Sequence, residues 1–518
     1  MILEGRVKSD SVEQDSSESG TQAPNSSKVA YWIVALAVVV LGILYHRMPG
    51  SLGYPLDDGY ISLHSAQVLH WGNDPNFPKT PPLVGITNAP YVLLLWALLA
   101  GLPPLVAMQA ASWLGVLCYA LGLVALGRAF RLPTLATLML AALGLTVAKV
   151  PYQLLNGVET GMAMGVTLWI FALAKTNTVW SRRGAALLCG IAPFLRPELI
   201  ALSGLFLVAV FLQDCKERGS VWQATRDSTP LWAITLLAAL PWLIWYGVST
   251  GSVIPQTIAA KRFFFADGCA PSTYRWDVLQ MSVRMFLAVF GILIAAVIFL
   301  ARNTLGRSVA IFLPLFFFAY YEALPSALLH NQGRYTYVLV PVLLFGLASG
   351  LGDRWLWAKR AAYALLFFSC LQTVERFSFH WNQFLQHRNQ ATQSLNAVAA
   401  WSNAHLPPDA TLLIHDAGYI SYATKFHLVD FVGLKTPSSV EYNRRYTYGH
   451  CGAGPAMAVS EIARHAEPGY LVMIDEWDRA FGVTPGLRAL GWGLEEINHS
   501  GDYRVFRLTA PPDRHSGS

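Results

Sequence analysis

Gly184–Gln213 reads GAALLCGIAPFLRPELIALSGLFLVAVFLQ. The stretch is apolar and long enough for one transmembrane helix, which needs about 20 residues. Pro193 and Pro197 fall in its middle, and proline breaks or kinks a helix interior because it lacks an N–H and its ring clashes with the preceding turn. Two shorter helices, at 184–195 and 198–213, are therefore expected to form a hairpin with Arg196-Pro197-Glu198 at its apex. The choice sets the parity of the chain, because one helix instead of two would invert every later segment across the membrane.

Outward from the hairpin, further apolar runs lie at about 30–47, 104–127, 132–148, 158–175, 230–248, 282–301, 308–325, 334–351 and 356–374. With the hairpin counted as two, the expectation is a mostly α, polytopic membrane protein of about eleven transmembrane helices. Composition agrees. Of 518 residues, 54% are hydrophobic and 13% charged, roughly half the charged share of a soluble protein. Seventeen Trp, 21 Tyr and 26 Phe suit membrane interfaces. Collagen-like, disordered and disulfide-rich secreted classes are excluded. The run at 90–101 is too short to span and reads as an interfacial or re-entrant helix. Residues 1–29 read as a Ser-rich, disordered cytoplasmic tail, followed by a signal anchor that stays in place.

The formal charge of +6 calls for no nucleic-acid partner, since positive residues on cytoplasmic loops explain it. With the N-terminus inside, the cytoplasmic segments hold sixteen Lys and Arg: three in the tail, then Arg128, Arg131, Lys175, Arg182, Arg183, Lys216, Arg218, Arg226, Arg302, Arg307, Arg354, Lys359 and Arg360. The longer outer segments before the last domain hold nine: Arg47, Lys79, Lys149, Arg196, Lys261, Arg262, Arg275, Arg284 and Arg334. The hairpin therefore satisfies the positive-inside rule, and an odd number of spans puts the C-terminus outside.

Three segments are expected: the tail (1–29), a transmembrane domain (30–376) and an extracytoplasmic α/β domain (377–518). In the last, apolar alternation at 411–415 and 428–432 and the run 470–474 predict strands, with helices at 390–404 and 457–465. No internal repeat and no Walker or Rossmann glycine motif is present. The six cysteines lack zinc-site spacing. Cys269 and Cys451 are the two assigned to the outer, oxidising side; they read either as a disulfide clamping the outer domain or as two free thiols.

Under this topology the unusual polar residues gather on the outer face. They are Asp57-Asp58-Gly59-Tyr60, then Tyr152, Asn156 and Glu159, Arg196 and Glu198, Gln256, Lys261-Arg262, and His330 through Tyr335. Each has a plainer reading. Asp57-Asp58 could cap a helix, Arg196 and Glu198 could form a structural ion pair, Lys261-Arg262 could meet lipid head groups, and Arg334 could mark a helix end. His64, His70 and His330 lack metal spacing, and His415-Asp416 reads as a turn. Ionisable groups at membrane depth are nonetheless functional candidates, because burying them is costly.

The ordered series resembles the GT-C superfamily of polyprenyl-phosphate-sugar-dependent glycosyltransferases, nearest the branch of mycobacterial terminal arabinofuranosyltransferases. The carrying segments are 56–62 (LDDGYIS), 84–88 (VGITN), 156–160 (NGVET), 195–198 (LRPE), 254–261 (IPQTIAAK) and 333–335 (GRY). In the outer domain they are 406–408 (LPP), 416–420 (DAGYI) and 430–434 (DFVGL). The resemblance implies inverting transfer of a hexosyl or pentosyl unit from a polyprenyl-phosphate donor to a cell-envelope glycan, lipid or protein, at the outer face of a bacterial cytoplasmic membrane. Asp57 would be the general base, and Asp58 would orient the acceptor or hold a divalent cation (Mg²⁺ or Mn²⁺). Arg334 and Arg196, with Lys261 and Arg262 as alternates, would hold the departing phosphate. Tyr60, Asn88, Glu159, Glu198, Gln256, His330 and Tyr335 would support them. The helix at 90–101 and the span behind it would form a prenyl groove. The rival reading is a transporter or flippase of lipid-linked sugars, which breaks no bond.

The orientation is directly testable: reporter fusions at Lys359 and Ala391 are expected to report opposite sides of the membrane. Two cytoplasmic signals would overturn the eleven-span scheme.

Overall fold

A computed structural model describes residues 24–302 and 304–512. Most of the expected tail, residues 1–23, lies outside that range, and helix has already begun at Pro24. The chain runs through α1 (Pro24–His46), α2 (Asp57–Trp71), α3 (Ala89–Leu99), α4 (Pro104–Ala129), α5 (Thr134–Thr146), α6 (Val150–Leu155) and α7 (Thr160–Thr176). It continues through α8 (Val179–Ile191), α9 (Leu199–Arg218), α10 (Val221–Thr250), α11 (Gln256–Phe265), α12 (Ser272–Phe290) and α13 (Thr304–Ala323). A 3₁₀ stretch, Gly291–Arg302, follows α12, and the passage Pro325–Leu339 leads into a helix at Val340–Leu351.

Among the described residues, seven helical segments are long and apolar enough to cross a membrane, and α3, α5 and α7 are shorter apolar helices. The segment Pro325–Leu351 is mostly buried and forms the centre of the bundle, whereas α10 is mostly exposed and lies at its rim. On α7, Gly161 and Gly165 stand four apart and face α4, where a Cβ on Gly165 would lie 2.8 Å from the Tyr119 backbone N. Small residues at this spacing let helix backbones approach closely, which is how helices associate where no hydrophobic effect separates protein from lipid.

The decisive stretch does fold back on itself. After α8 a 3₁₀ turn at Ala192–Phe194 precedes α9. Arg182 Nη1 donates to Asp214 Oδ1 at 3.0 Å, and Ser203 Oγ donates to the Cys189 carbonyl at 2.9 Å. The first pair joins the start of α8 to the end of α9 and the second joins the end of α8 to the start of α9, so the two helices are antiparallel and Arg196 sits at the far end from the Arg182–Asp214 pair.

The expected last span and the expected helix at 390–404 are one 50-residue helix, Leu356–His405, about 75 Å long at 1.5 Å per residue. It carries the chain into a five-stranded sheet of order β2-β1-β3-β5-β4, made of β1 (Thr411–Ile414), β2 (His427–Asp430), β3 (Tyr470–Ile474), β4 (Gly493–Ser500) and β5 (Tyr503–Thr509). β1 pairs in parallel with β2 and β3, and β5 runs antiparallel to β3 and β4. The first three strands are those expected. The β4–β5 hairpin was not anticipated, because β4 is a mostly uncovered edge carrying Glu495, Glu496, Asn498 and His499, with no apolar alternation to mark it.

Buried charges fasten the outer domain to the helices. Lys435 Nζ lies 3.7 Å from Asp74 Oδ2, and His64 Nε2 lies 3.1 Å from Asp74 Oδ1, with all three side chains fully buried. Arg388 on the long helix donates to the Pro49 carbonyl at 3.0 Å and to Tyr45 Oη at 3.3 Å. Removing one partner of a buried ion pair costs about 3–5 kcal/mol, because the other charge is left uncompensated. Lys435→Met is therefore expected to lower thermal stability by that order and to open the junction to limited proteolysis. A wild-type melting curve would show that the pair does not hold the domains together.

Candidate active site

The first turn of α2 carries two adjacent carboxylates that point to different partners. Neither caps the helix: the residue before it, Leu56, is extended and makes no capping bond. Asp57 reaches the outer domain, where Oδ2 accepts from the Gly418 N–H at 2.7 Å and Oδ1 from the Tyr419 N–H at 2.6 Å. The approach is close enough to require glycine, since a Cβ on Gly418 would lie 2.1 Å from the Asp57 carbonyl oxygen. Asp58 turns to the helices, with Oδ2 2.8 Å from Arg334 Nη1.

Their surroundings push them apart in acidity. Burial, reinforced by the charge of Asp416, holds the Asp57 carboxyl well above the usual carboxylate range, against the pull of the two backbone N–H groups. Burial also opposes ionisation of Asp58, but Lys261 and Arg334 outweigh it and hold this carboxyl down at about 2. At neutral pH Asp58 is a fixed anion, and Asp57 is the carboxylate with affinity for a proton.

Two cavities meet here. The first, of about 330 Å³, is lined by Asp58, Asn88, Glu159, Arg196, Glu198, Lys261, Arg262, Arg334 and Tyr335, with Ile61, Ile258, Ala319, Ala323 and Leu324 among its apolar walls. The second, of about 590 Å³, lies beneath the outer domain and is lined by Asp57, Asp58, Tyr152, Lys261, His330, Tyr335, His415, Asp416, Glu476, Trp477, Asp502 and Tyr503, among others. Asp58, Lys261 and Tyr335 belong to both and form the partition. Tyr335 is the hub of the cations: its hydroxyl accepts from Lys261 Nζ at 3.2 Å, and the guanidinium carbons of Arg196 and Arg334 lie 5.0 and 5.1 Å from its ring centre.

Most of the expected residues converge, but not all in the expected roles. Arg334 is 5% exposed, and its Nε has no hydrogen-bond partner among the described residues. Arg196 is already occupied: Nε donates to Glu198 at 2.6 Å, and Nη1 donates to Glu159 and to Thr160 Oγ1, each at 3.3 Å. Asn88 donates to the other oxygen of Glu159 at 2.7 Å. The ion-pair reading of Arg196 therefore holds, and Glu159 and Glu198 position this cation. Tyr60 lines neither cavity and packs edge-on against Tyr419 at 4.8 Å, tying α2 to the outer domain. Gln256 also lines neither; its neighbours Thr257 and Ile258 do. No residue of α3 lines the first cavity, whose apolar wall beside Tyr320 comes from α13 and the residue after it.

Two further expectations can be set against the geometry. Asp58 faces the Arg334 guanidinium and the Lys261 ammonium, and among the described residues no three His, Cys, Asp or Glu side chains converge. Cys269 and Cys451 carry no bond between them, but their side chains lie close enough to interact, and burial together with the Cys451 thiol pushes the Cys269 thiol up to about 11. Cys269 Sγ lies 3.1 Å from the Ala266 carbonyl and 3.5 Å from that of Tyr448. The same loop also meets the outer domain through ring contacts, with Phe263 5.3 Å from Tyr448. The site residues that sequence reasoning missed, Trp477, Asp502 and Tyr503, come from the outer domain, where no motif marks them; His415-Asp416 had been read as a turn.

An all-helical membrane body with its site at one end, roofed by a small α/β domain, is a fold shared with solved structures. ArnT from Cupriavidus metallidurans, solved bound to undecaprenyl phosphate, superposes with a TM-score of 0.52 at 14% identity, covering 93% of this chain and 98% of that one. Its apo state gives 0.52 at 15% identity, with the same coverage. The arabinofuranosyltransferase AftD from Mycobacteria aligns over 96% of this chain but 40% of its own length, with 13% identity and a TM-score of 0.43. Residues 382–512 match the family model of a domain of unknown function (DUF8728). No curated protein matches the sequence.

Gly418→Ala tests the Asp57 contact. A methyl group there cannot coexist with the carboxylate, and hydrogen bonds to a charged acceptor contribute about 1.5–3 kcal/mol each. Destabilisation of about 2 kcal/mol or more is expected in thermal melts, whereas an unchanged melting temperature would mean that Asp57 does not depend on this backbone.

Proposed function

We propose that this protein is an inverting glycosyltransferase that moves a hexosyl or pentosyl unit from a polyprenyl-phosphate carrier to an acceptor hydroxyl at the outer face of the cytoplasmic membrane. The observation that carries this reading is the pairing across one partition of a buried cation with an unsatisfied donor, Arg334, and a carboxyl of raised proton affinity, Asp57. The shared fold of ArnT, solved with undecaprenyl phosphate, supports a lipid-phosphate donor.

The donor phosphate fits the first cavity, where Lys261, Arg262 and Arg334 supply positive charge. Guanidinium groups bind phosphate oxygens through paired N–H donors, and a fixed cation stabilises the charge that gathers on a leaving group. The acceptor approaches from the second cavity, on the Asp57 side. An alcohol is a weak nucleophile at neutral pH until a base takes its proton, and a base is most effective when its pKa lies near the working pH. Asp57 suits that role, whereas Asp58, held near pKa 2, suits fixing Arg334 and Lys261. In the transfer the acceptor oxygen bonds to the anomeric carbon while the bond from that carbon to the phosphate oxygen breaks. The acceptor proton passes to Asp57, and the electron pair leaves with the polyprenyl phosphate.

Transfer rate and polyprenyl-phosphate affinity, measured in nanodiscs, test the assignment. Asp57→Asn is expected to keep donor affinity and to lose transfer by about 10²–10⁴-fold, since an amide cannot take the proton. Arg334→Ala is expected to weaken both. Activity of the wild type should fall as acidification protonates Asp57. Asp416→Asn, which removes a charge that raises the Asp57 pKa, should move that acid limb to lower pH. Near-normal turnover by Asp57→Asn would sink the base assignment and favour a transporter that breaks no bond.

A further inference from the structure

We infer that the outer domain forms half of an acceptor site for an uncharged saccharide, with Trp477 as the platform on which a sugar ring stacks and His415 as a group that hydrogen-bonds its hydroxyls. This deepens the glycosyltransferase reading and rests on it. It also gives residues 382–512, which match a domain of unknown function, a direct part in the chemistry.

Three independent observations carry the inference. The first is charge. The second cavity is lined by five carboxylates, Asp57, Asp58, Asp416, Glu476 and Asp502, against one lysine. Such a surface repels phosphate and carboxylate and suits a ligand rich in hydroxyl donors. The cavity next to it has the opposite bias, with four Lys and Arg against three carboxylates. The volume of about 590 Å³ lies within the roughly 300–1,000 Å³ of small-molecule sites.

The second observation is an aromatic wall. Trp477 is partly exposed and packs against Phe265 and Phe481, with ring centres 5.8 and 5.3 Å away, so its orientation is fixed before any ligand arrives. A rigid ring with an apolar face and a polar N–H serves ligands that are apolar on one side and hydroxylated at their edge.

The third is a buried nitrogen without a partner. His415 is 2% exposed and lines the cavity 5.0 Å from the Trp477 ring. Its Nε2 pairs with Asp416 Oδ2 at 3.2 Å, while its Nδ1 has no hydrogen-bond partner among the described residues. Buried polar atoms are nearly always satisfied, by protein, water or ligand. Asp416 holds Tyr503 and the Nε2 side of the ring, which leaves Nδ1 as the polar atom in need of a partner beside the platform.

The test uses the full-length protein in nanodiscs, an array of neutral oligosaccharides with matched uronic-acid-bearing ones, and undecaprenyl phosphate as a separate probe. Wild type should bind neutral members in preference to acidic ones. Trp477→Ala should weaken that binding at least tenfold while changing undecaprenyl-phosphate affinity less than twofold, and Trp477→Phe should recover most of it. Glu476→Lys, at an exposed position, should raise binding of the uronic-acid probes at least threefold and does not depend on the tryptophan variant folding. Failure of any neutral saccharide to bind the wild type, equal binding by Trp477→Ala, or no response to Glu476→Lys would overturn the inference while leaving the donor site intact. Failure of undecaprenyl phosphate to bind the wild type would instead remove the reading on which it rests.

Discussion

Two neighbouring carboxylates on the first turn of one helix carry the architecture. Asp57 accepts two backbone hydrogen bonds from the outer domain, and Asp58 pairs with Arg334 at the centre of the helical bundle. Consecutive helical residues diverge by about 100°, so adjacent side chains on α2 can serve two bodies at once. The membrane part and the soluble part are thereby joined where their cavities meet. Lys435, Asp74 and His64, buried nearby, reinforce the same junction. Because these charges are out of water, each is costly unless its partner stays in place, and the junction is held in one geometry.

That geometry also separates charge. On one side of the Asp58–Lys261–Tyr335 partition stand Arg262 and Arg334; on the other stand Asp57, Asp416 and Asp502. A single mixed cavity would neutralise itself. Dividing it lets one wall favour an anion and the other a polyhydroxy ligand, with little competition between them. The same division tunes the two acids. Asp58 is ionised by its cations, and Asp57 retains its proton affinity through burial and a like charge. Environments that separate the pKa values of neighbouring groups are how sites assign acid and base roles.

Where expectation and structure part, local composition was read without its partners. Sequence offered Arg196 either a local ion pair with Glu198 or a donor phosphate, and could not show that Glu159 arrives from another segment to share it. The resemblance puts Gln256 at the site, yet its helix turns Thr257 and Ile258 toward the cavity instead. The last span and the first outer helix looked separate because hydropathy falls near residue 375, although helical geometry does not depend on hydropathy and the backbone continues unbroken to His405.

The membrane body was legible in the sequence because lipid imposes a one-dimensional rule: a spanning segment must be helical and apolar over a set length. Pro193 and Pro197 announced the hairpin, and Asp57, Asp58, Lys261 and Arg334 stood out because charge at membrane depth is costly. The first three strands of the outer domain were legible through their apolar runs. Tertiary structure alone decided the rest. Which carboxylate faces which cavity, which arginine keeps an unsatisfied donor, and that Trp477 and His415 roof the site all depend on contacts between segments hundreds of residues apart. Hydropathy and motif spacing report what a residue costs to bury; they carry no information about which distant group repays that cost.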